Sequence, residues 1–127
     1  TESTFRNITC QDLTSVSDLR KKRVTRPMFG DKPQIPGWRE KLISLQRIYF
    51  QYNDDPSQKE RVGLIAQELI QKGFHDLVHT DKHGTYSVAY DKLSLYLIEA
   101  MREMNVEMTD MKKKLNFLMS KFDDYEE

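Results

Sequence analysis

Three groups of residues carry side chains with reactive chemistry. Ser17-Asp18 is followed at once by Arg20, Lys21, Lys22 and Arg23. His75, His79 and His83 recur at intervals of four, and Cys10 stands alone. By composition alone Ser17-Asp18 is a turn or a helix cap, and Arg20 to Arg23 is a solvated basic face. The histidines fall in a stretch that reads as a hairpin. There, positions i and i+4 share a face but sit too far apart to converge on an ion, so no metal site is expected. Cys10 has no CxxC or Cys/His partner, which removes a thiolate metal site and an intramolecular disulfide and suits a reduced, intracellular folding environment. No Walker-type glycine loop marks a nucleotide site, and no cofactor is expected.

The strongest pattern in the chain positions rather than reacts. Leu97, Met101, Met104, Met108, Met111, Leu115, Leu118, Phe122 and Tyr125 are spaced four and three residues apart in strict alternation. A repeat of about 3.5 residues keeps one stripe facing a partner along a supercoil, and one helix alone cannot bury it. With Met101 at a, the a positions hold Met101, Met108, Leu115 and Phe122, and d holds the remainder. No a residue is β-branched, and Ile98 and Met119 at e with Ala100 at g widen the stripe. A homotrimer is therefore expected over a parallel dimer. Folding back on its own domain would need a second helix of matching length, and the chain holds no second run of that kind.

The elements ahead of this helix must be short. At 127 residues the chain accommodates one modest domain and an extension. Residues 1–16 read as the end of an upstream stalk or linker, as if cut from a longer protein. Residues 17–92 read as a globular part carrying an exposed Pro-rich arm at 23–37, and residues 93–127 as the coiled-coil helix. A helix from Trp38 to about Leu45 places Trp38, Leu42 and Leu45 on one face. Ile48, Phe50 and Tyr52 against Val62, Leu64 and Ala66 predict a hairpin. A helix over Gln67 to Lys72 stops at Gly73, and a second hairpin runs from Leu77-Val78 to Tyr86, Val88 and Tyr90, turning at Asp81 to Gly84. Asp91 is the expected N-cap of the long helix. Tyr49, Phe50, Tyr52, Tyr86 and Tyr90 are expected in the core or in trimer contacts. The class is mainly α with small β-hairpins (α+β), a compact globular part followed by a long trimeric helix. Lys plus Arg equals Asp plus Glu at 20 each, so no global field draws the chain to nucleic acid or an anionic membrane, and no apolar run is long enough to span a bilayer.

Three segments, in order, resemble one family. Ser17-Asp18-Leu19-Arg20-Lys21-Lys22 is similar to a Ser-Asp-x-Arg-x-Lys start. Val62-Gly63-Leu64-Ile65-Ala66-Gln67-Glu68-Leu69 looks like an (Ile/Val)-Gly-(Leu/Phe)-Ile-Ala-Gln-Glu-(Val/Leu) signature. Ser87-Val88-Ala89-Tyr90-Asp91-Lys92-Leu93 is close to the Val-x-Tyr-x-x-Leu that opens a final helix. Together they resemble the C-terminal intramolecular chaperone domain of endosialidase-type phage tailspikes, a self-cleaving peptidase family also found on tail fibres, neck appendages and the eukaryotic myelin regulatory factor. The likeness runs from about Ser17 to the C-terminus, and the octet is its most specific part. Lys21 stands where the family is commonly apolar, and the Pro-rich stretch from Pro27 to Pro36 replaces its usual basic-polar segment.

The resemblance implies that Ser17 is a nucleophile, that Val16-Ser17 is the bond cut and that Lys22 is the basic partner. A serine hydroxyl needs a base to take its proton, and a lysine serves once desolvation or a neighbouring cation lowers its pKa. Arg20 and Lys21 are the cations nearby. Asp18 would orient the amine or the scissile peptide, with Gln67 or Glu68 completing the site; Gly63 and Gln67 also have structural readings, as a close strand approach and a junction hydrogen bond. The implied protein is a virion precursor that trimerises, assists folding of an upstream β-structured stalk of the same polypeptide, and is released by a single-turnover serine endopeptidase reaction in the host cytoplasm. Nucleic acid and membrane are not expected partners. Two alternatives stand beside this: a trimerisation module without proteolysis, and a winged-helix DNA-binding regulator whose recognition helix would offer Lys72 as its one cation.

Overall fold

A computed structural model describes residues 8–30 and 35–125. Residues 31–34 of the predicted Pro-rich arm, and residues 1–7 of the predicted linker, lie outside the described residues, as does the side chain of Tyr125 in the heptad stripe. The chain divides into two compact units, Thr1–Gln34 and Ile35–Glu127. Its class is mixed α+β, with two antiparallel hairpins and a long C-terminal helix.

Among the described residues of the first unit the one regular element is a 3-10 turn at Leu19–Lys21. Asp18 caps it, its side chain accepting from the backbone N–H of Arg20, while Lys21 N–H donates to the Asp18 carbonyl at 2.9 Å. Such turns rarely exceed a few residues because their hydrogen bonds are poorly aligned. The turn buries none of its own residues.

The second unit begins with α1 (Trp38–Ile43), preceded by Gly37 at φ +65°, a left-handed conformation that glycine adopts freely. Trp38, Leu42 and Leu45 are buried as one face, although the helix stops at Ile43 and Leu45 joins through a 3-10-type hydrogen bond to the Leu42 carbonyl at 3.3 Å. β1 (Ile48–Phe50) and β2 (Arg61–Gly63) pair with Tyr49 opposite Val62. Both strands are shorter than predicted. Ala66 opens α2 (Ala66–Gln71), and the Leu64 N–H leaves the ladder for the Tyr90 hydroxyl. At the far end of α2, Gly73 sits at φ +93°, the Phe74 N–H reaches the Leu69 carbonyl and the Gly73 N–H reaches Ile70. That is a Schellman closure, which explains the stop the sequence predicts at Gly73.

A 3-10 turn at His75–Leu77 leads into β3 (Val78–Thr80), which pairs with β4 (Tyr86–Val88). Asp81 organises the connecting turn by accepting from the N–H groups of His83 and Thr85. The histidines therefore occupy a turn, a strand and a loop, and no group of three potential ligands gathers around an ion position among the described residues.

α3 runs from Tyr90 to Tyr125, 36 residues. It starts at Tyr90, so Asp91 lies in the first turn rather than at the N-cap, and Tyr90 belongs to the helix instead of β4. Its core contact is Tyr96, edge-on to Phe74 at 5.3 Å and tilted against Trp38 at 6.1 Å. Leu69, Phe74 and Leu77, all 0 % exposed, form the centre beneath it. The aromatic core is thus Trp38, Phe74 and Tyr96. Tyr49 on β1 and Tyr86 on β4 are exposed, because the two-stranded hairpins have no second layer to cover their outer faces; Tyr52 beyond β1 and Tyr90 on α3 are exposed as well, and Phe50 is half-buried. Two and three turns beyond Tyr96, Glu103 and Glu107 are bridged to α1 by Arg39, at 3.6 Å and 2.7 Å. From Met104 to Asp124 every side chain is exposed in the single chain. No described helix is long and apolar enough to cross a membrane.

Candidate active site

The chemistry-bearing residues meet at the 3-10 turn. By tightening three residues into one turn, it brings residue 22 back towards residue 17, and the flexible Lys22 stem closes the remaining gap. Lys22 Nζ donates to Ser17 Oγ at 2.7 Å. That lies inside the reach required of a general base and its nucleophile. The adjoining peptide is open: Val16 is 86 % exposed and Ser17 is exposed as well.

Asp18 is committed to Arg20. Besides the backbone N–H, it accepts from Arg20 Nε at 3.2 Å through each carboxylate oxygen and from Nη2 at 2.7 Å. The Arg20 side chain, and then its backbone N–H, hold the Asp18 carboxyl below the usual carboxylate range. The structure therefore gives Asp18 the task of shaping the turn. Its hydrogen bonds go to Arg20 and leave the Lys22 amine to Ser17. Arg20 in turn has its charge offset by Asp18, an exposed pair of a kind that adds little stability.

Gln67 and Glu68 lie on α2 in the second unit. Gln67 is exposed. The Glu68 carboxylate accepts from the Gln46 backbone N–H at 2.9 Å and from Lys72 Nζ at 3.1 Å, and Lys72 also donates to Ser44 Oγ at 2.7 Å. This latch ties α2 to the chain between α1 and β1. The Gln46 N–H, followed by Lys72, keeps the Glu68 carboxyl below its ordinary range. A depressed folded value means stability that is present above the unfolded glutamate value of about 4.3 and is lost as pH falls through the folded one. Glu68→Gln should therefore unfold in less urea than wild type at pH 7, with the difference shrinking towards zero as pH is lowered below 4. Urea titrations across that range check it, and a gap that stays constant in acid would refute the latch.

The octet and the helix-opening motif touch. A Cβ on Gly63 would lie 2.6 Å from the Tyr90 hydroxyl oxygen and 3.1 Å from Phe50 Cε1, and that same hydroxyl accepts the Leu64 N–H at 2.8 Å. Glycine serves close approach here rather than backbone conformation, since its φ is not in the left-handed region. Gly63→Ala displaces Tyr90 and breaks this bond, at a cost of about 1–2 kcal/mol. Placing it over Tyr90→Phe removes the clash, so a denaturant double-mutant cycle should return a coupling of about 0.5–1 kcal/mol. Additive losses would show that Tyr90 is not what Gly63 accommodates.

Sequence reasoning missed Tyr96 as the core contact of α3 and Arg39 as its strut. Tyr96 lies at position c, outside the heptad seam, and Arg39 to Glu107 spans 68 residues, so periodicity carried no sign of either. The strand glycine did signal a close neighbour, though not which one. No protein-family model, curated protein or solved structure matches the chain significantly.

Proposed function

We propose that the chain is a homotrimeric intramolecular chaperone that releases itself by cutting Val16-Ser17. It serves an upstream β-structured stalk of the same polypeptide, of the kind carried by phage tailspikes, tail fibres and neck appendages. The observation that carries this reading is the 2.7 Å contact between Lys22 Nζ and Ser17 Oγ across a turn capped by Asp18. The reading agrees with the order of the three segments and with the apolar stripe that α3 leaves exposed.

The reaction needs only this chain and water. With the Lys22 amine neutral, it takes the proton of the Ser17 hydroxyl as Oγ adds to the Val16 carbonyl carbon through a five-membered ring. The C–N bond then breaks, the nitrogen of Ser17 accepts the proton, and Val16 is held to Ser17 Oγ as an ester. Water hydrolyses that ester to a Val16 carboxylate and a free Ser17 amine and hydroxyl. A tertiary arrangement of nucleophile and base makes both proton movements intramolecular. The reaction runs once per chain, has no external substrate and requires no cofactor.

Trimerisation supplies the chaperone effect. Clamping three C-termini turns a three-body encounter into an intramolecular one and sets the register for slow, non-local β-structure. Release then removes the template, so the mature trimer is held by its unfolding barrier. Such a domain belongs to a virion precursor and acts in the host cytoplasm. The DNA-binding alternative gains no support, because Lys72 at the end of α2 is engaged by Glu68 and Ser44.

Expression of the parent protein ended at Val16, beside the full-length gene, tests the chaperone role. The full-length gene should yield a folded stalk trimer and the truncated one aggregated chains. Equal recovery of folded trimer from both would rule a chaperone out.

A further inference from the structure

Between the β1–β2 hairpin and the opening turns of α3 runs an apolar groove of about 590 Å³. Leu45, Tyr49, Val62, Tyr90, Leu93 and Leu97 are among the residues that line it. Tyr49 and Val62 face each other across the ladder and are 74 % and 71 % exposed, an open apolar pair of the sort that marks a contact surface.

Its place on the helix decides what covers it. In the heptad, Tyr90 and Leu97 occupy d and Leu93 occupies g, so the hairpin stands on the d/g flank of α3. Further contacts of the head fall at c, through Tyr96 and Glu103, and at g, through Glu107. In a parallel, in-register coil the d/g flank of one helix meets the a/e flank of the next, and each g residue lies beside the neighbour's e residue five positions on. Leu93 then lies beside Ile98 of the next chain, a residue that is 63 % exposed in its own. The same register sets Ala100 beside Asn105, Glu107 beside Lys112 and Lys114 beside Met119. One of these pairs is of opposite charge, none is of like charge, and the lysine stem suits methionine.

We infer that the groove receives Ile98 of a second copy of this chain, so that each head clamps the helix of its neighbour and the heads themselves form part of the trimer interface. The inference rests on the trimeric reading above. Because groove and Ile98 are different surfaces, the contact is head-to-tail, and three copies close it into a ring.

The test uses the whole chain in a Cys10→Ser background, with Val62→Cys and Ile98→Cys placed on separate, co-expressed chains. A short bis-maleimide is added and the products are resolved on a denaturing gel, with Met111→Cys as a seam control and sedimentation equilibrium on the same samples. A covalent dimer that requires both variants, in a sample that sediments as a trimer, is the expected result. Trimers that link through Met111→Cys but not between the Val62 and Ile98 positions would overturn the groove contact and leave trimerisation standing. Monomers by sedimentation would overturn both.

Discussion

A parent protein carrying Ser17→Ala remains a single uncleaved chain and still assembles as a trimer. Removing Oγ takes away the atom that must add to the Val16 carbonyl, so cleavage should fall by about 10³-fold or more. Lys22→Ala leaves the nucleophile without its base, with an expected loss of about 10²–10⁴-fold. Lys22→Arg separates charge from basicity: a guanidinium keeps the positive charge and cannot take a proton near neutrality, so it should be as slow as alanine. Time courses on denaturing gels measure all three. Retention of wild-type rate in Lys22→Arg would show that Lys22 acts only as a charge beside Ser17. Asp18→Ala acts one step removed, by loosening the cap that holds the 3-10 turn and releasing Arg20, and its loss should be smaller.

The second large effect concerns assembly. Met108 and Leu115 occupy successive a positions, and both are exposed in the single chain. Replacing both with glutamate would bury like charges around one axis, a change that costs several kcal/mol per group unless the chains separate. Sedimentation equilibrium should show monomers at concentrations where the wild type is expected to be a trimer. The second unit should stay folded by circular dichroism, because its centre at Leu69, Phe74 and Leu77 has no share in that part of the helix. A double variant that still sediments as a trimer would mean that the stripe is not the seam. Loss of the head's own structure would mean that the stripe supports the monomer fold.

The elements were largely legible because each rests on a local rule. Gly73 ended α2 through the left-handed closure its residue type favours, and Asp81 to Gly84 made the second turn through side-chain-to-backbone bonds. The errors lie at junctions. Ala66 and Tyr90 both fit a strand alternation, yet each opens a helix. In the second case the Tyr90 ring is drawn over Gly63 to accept the Leu64 N–H, a partner 26 residues away that periodicity cannot reveal. Which aromatics fill the monomer core was not legible for a related reason: burial depends on which residues α1, α2 and α3 can jointly cover, and that selects Trp38, Phe74 and Tyr96 rather than the hairpin tyrosines, whose other expected place is a trimer contact.

Among the candidate residues, the five-residue spacing of Ser17 and Lys22 was open to view in the sequence, and the hydrogen-bond partners of Asp18 and Glu68 were not. Ser17 and Lys22 meet, as the resemblance implies. Asp18, expected to orient the amine or the peptide, instead builds the turn and holds Arg20, since a carboxylate two residues from a guanidinium is in reach of a multidentate pair. Glu68, expected as a support for the site, is occupied by Gln46 and Lys72, an arrangement whose i,i+4 half could be read from the sequence and whose backbone half could not.

Whether this chain cuts itself at Val16-Ser17 is decided by the intact mass of the expressed parent, with N-terminal sequencing of any C-terminal fragment. Two products are expected, with masses that sum to the parent plus one water, the C-terminal one beginning Ser-Asp-Leu-Arg and absent from Ser17→Ala. A single uncleaved mass from a correctly folded wild-type trimer, or a fragment beginning at any other residue, would contradict self-cleavage at that bond.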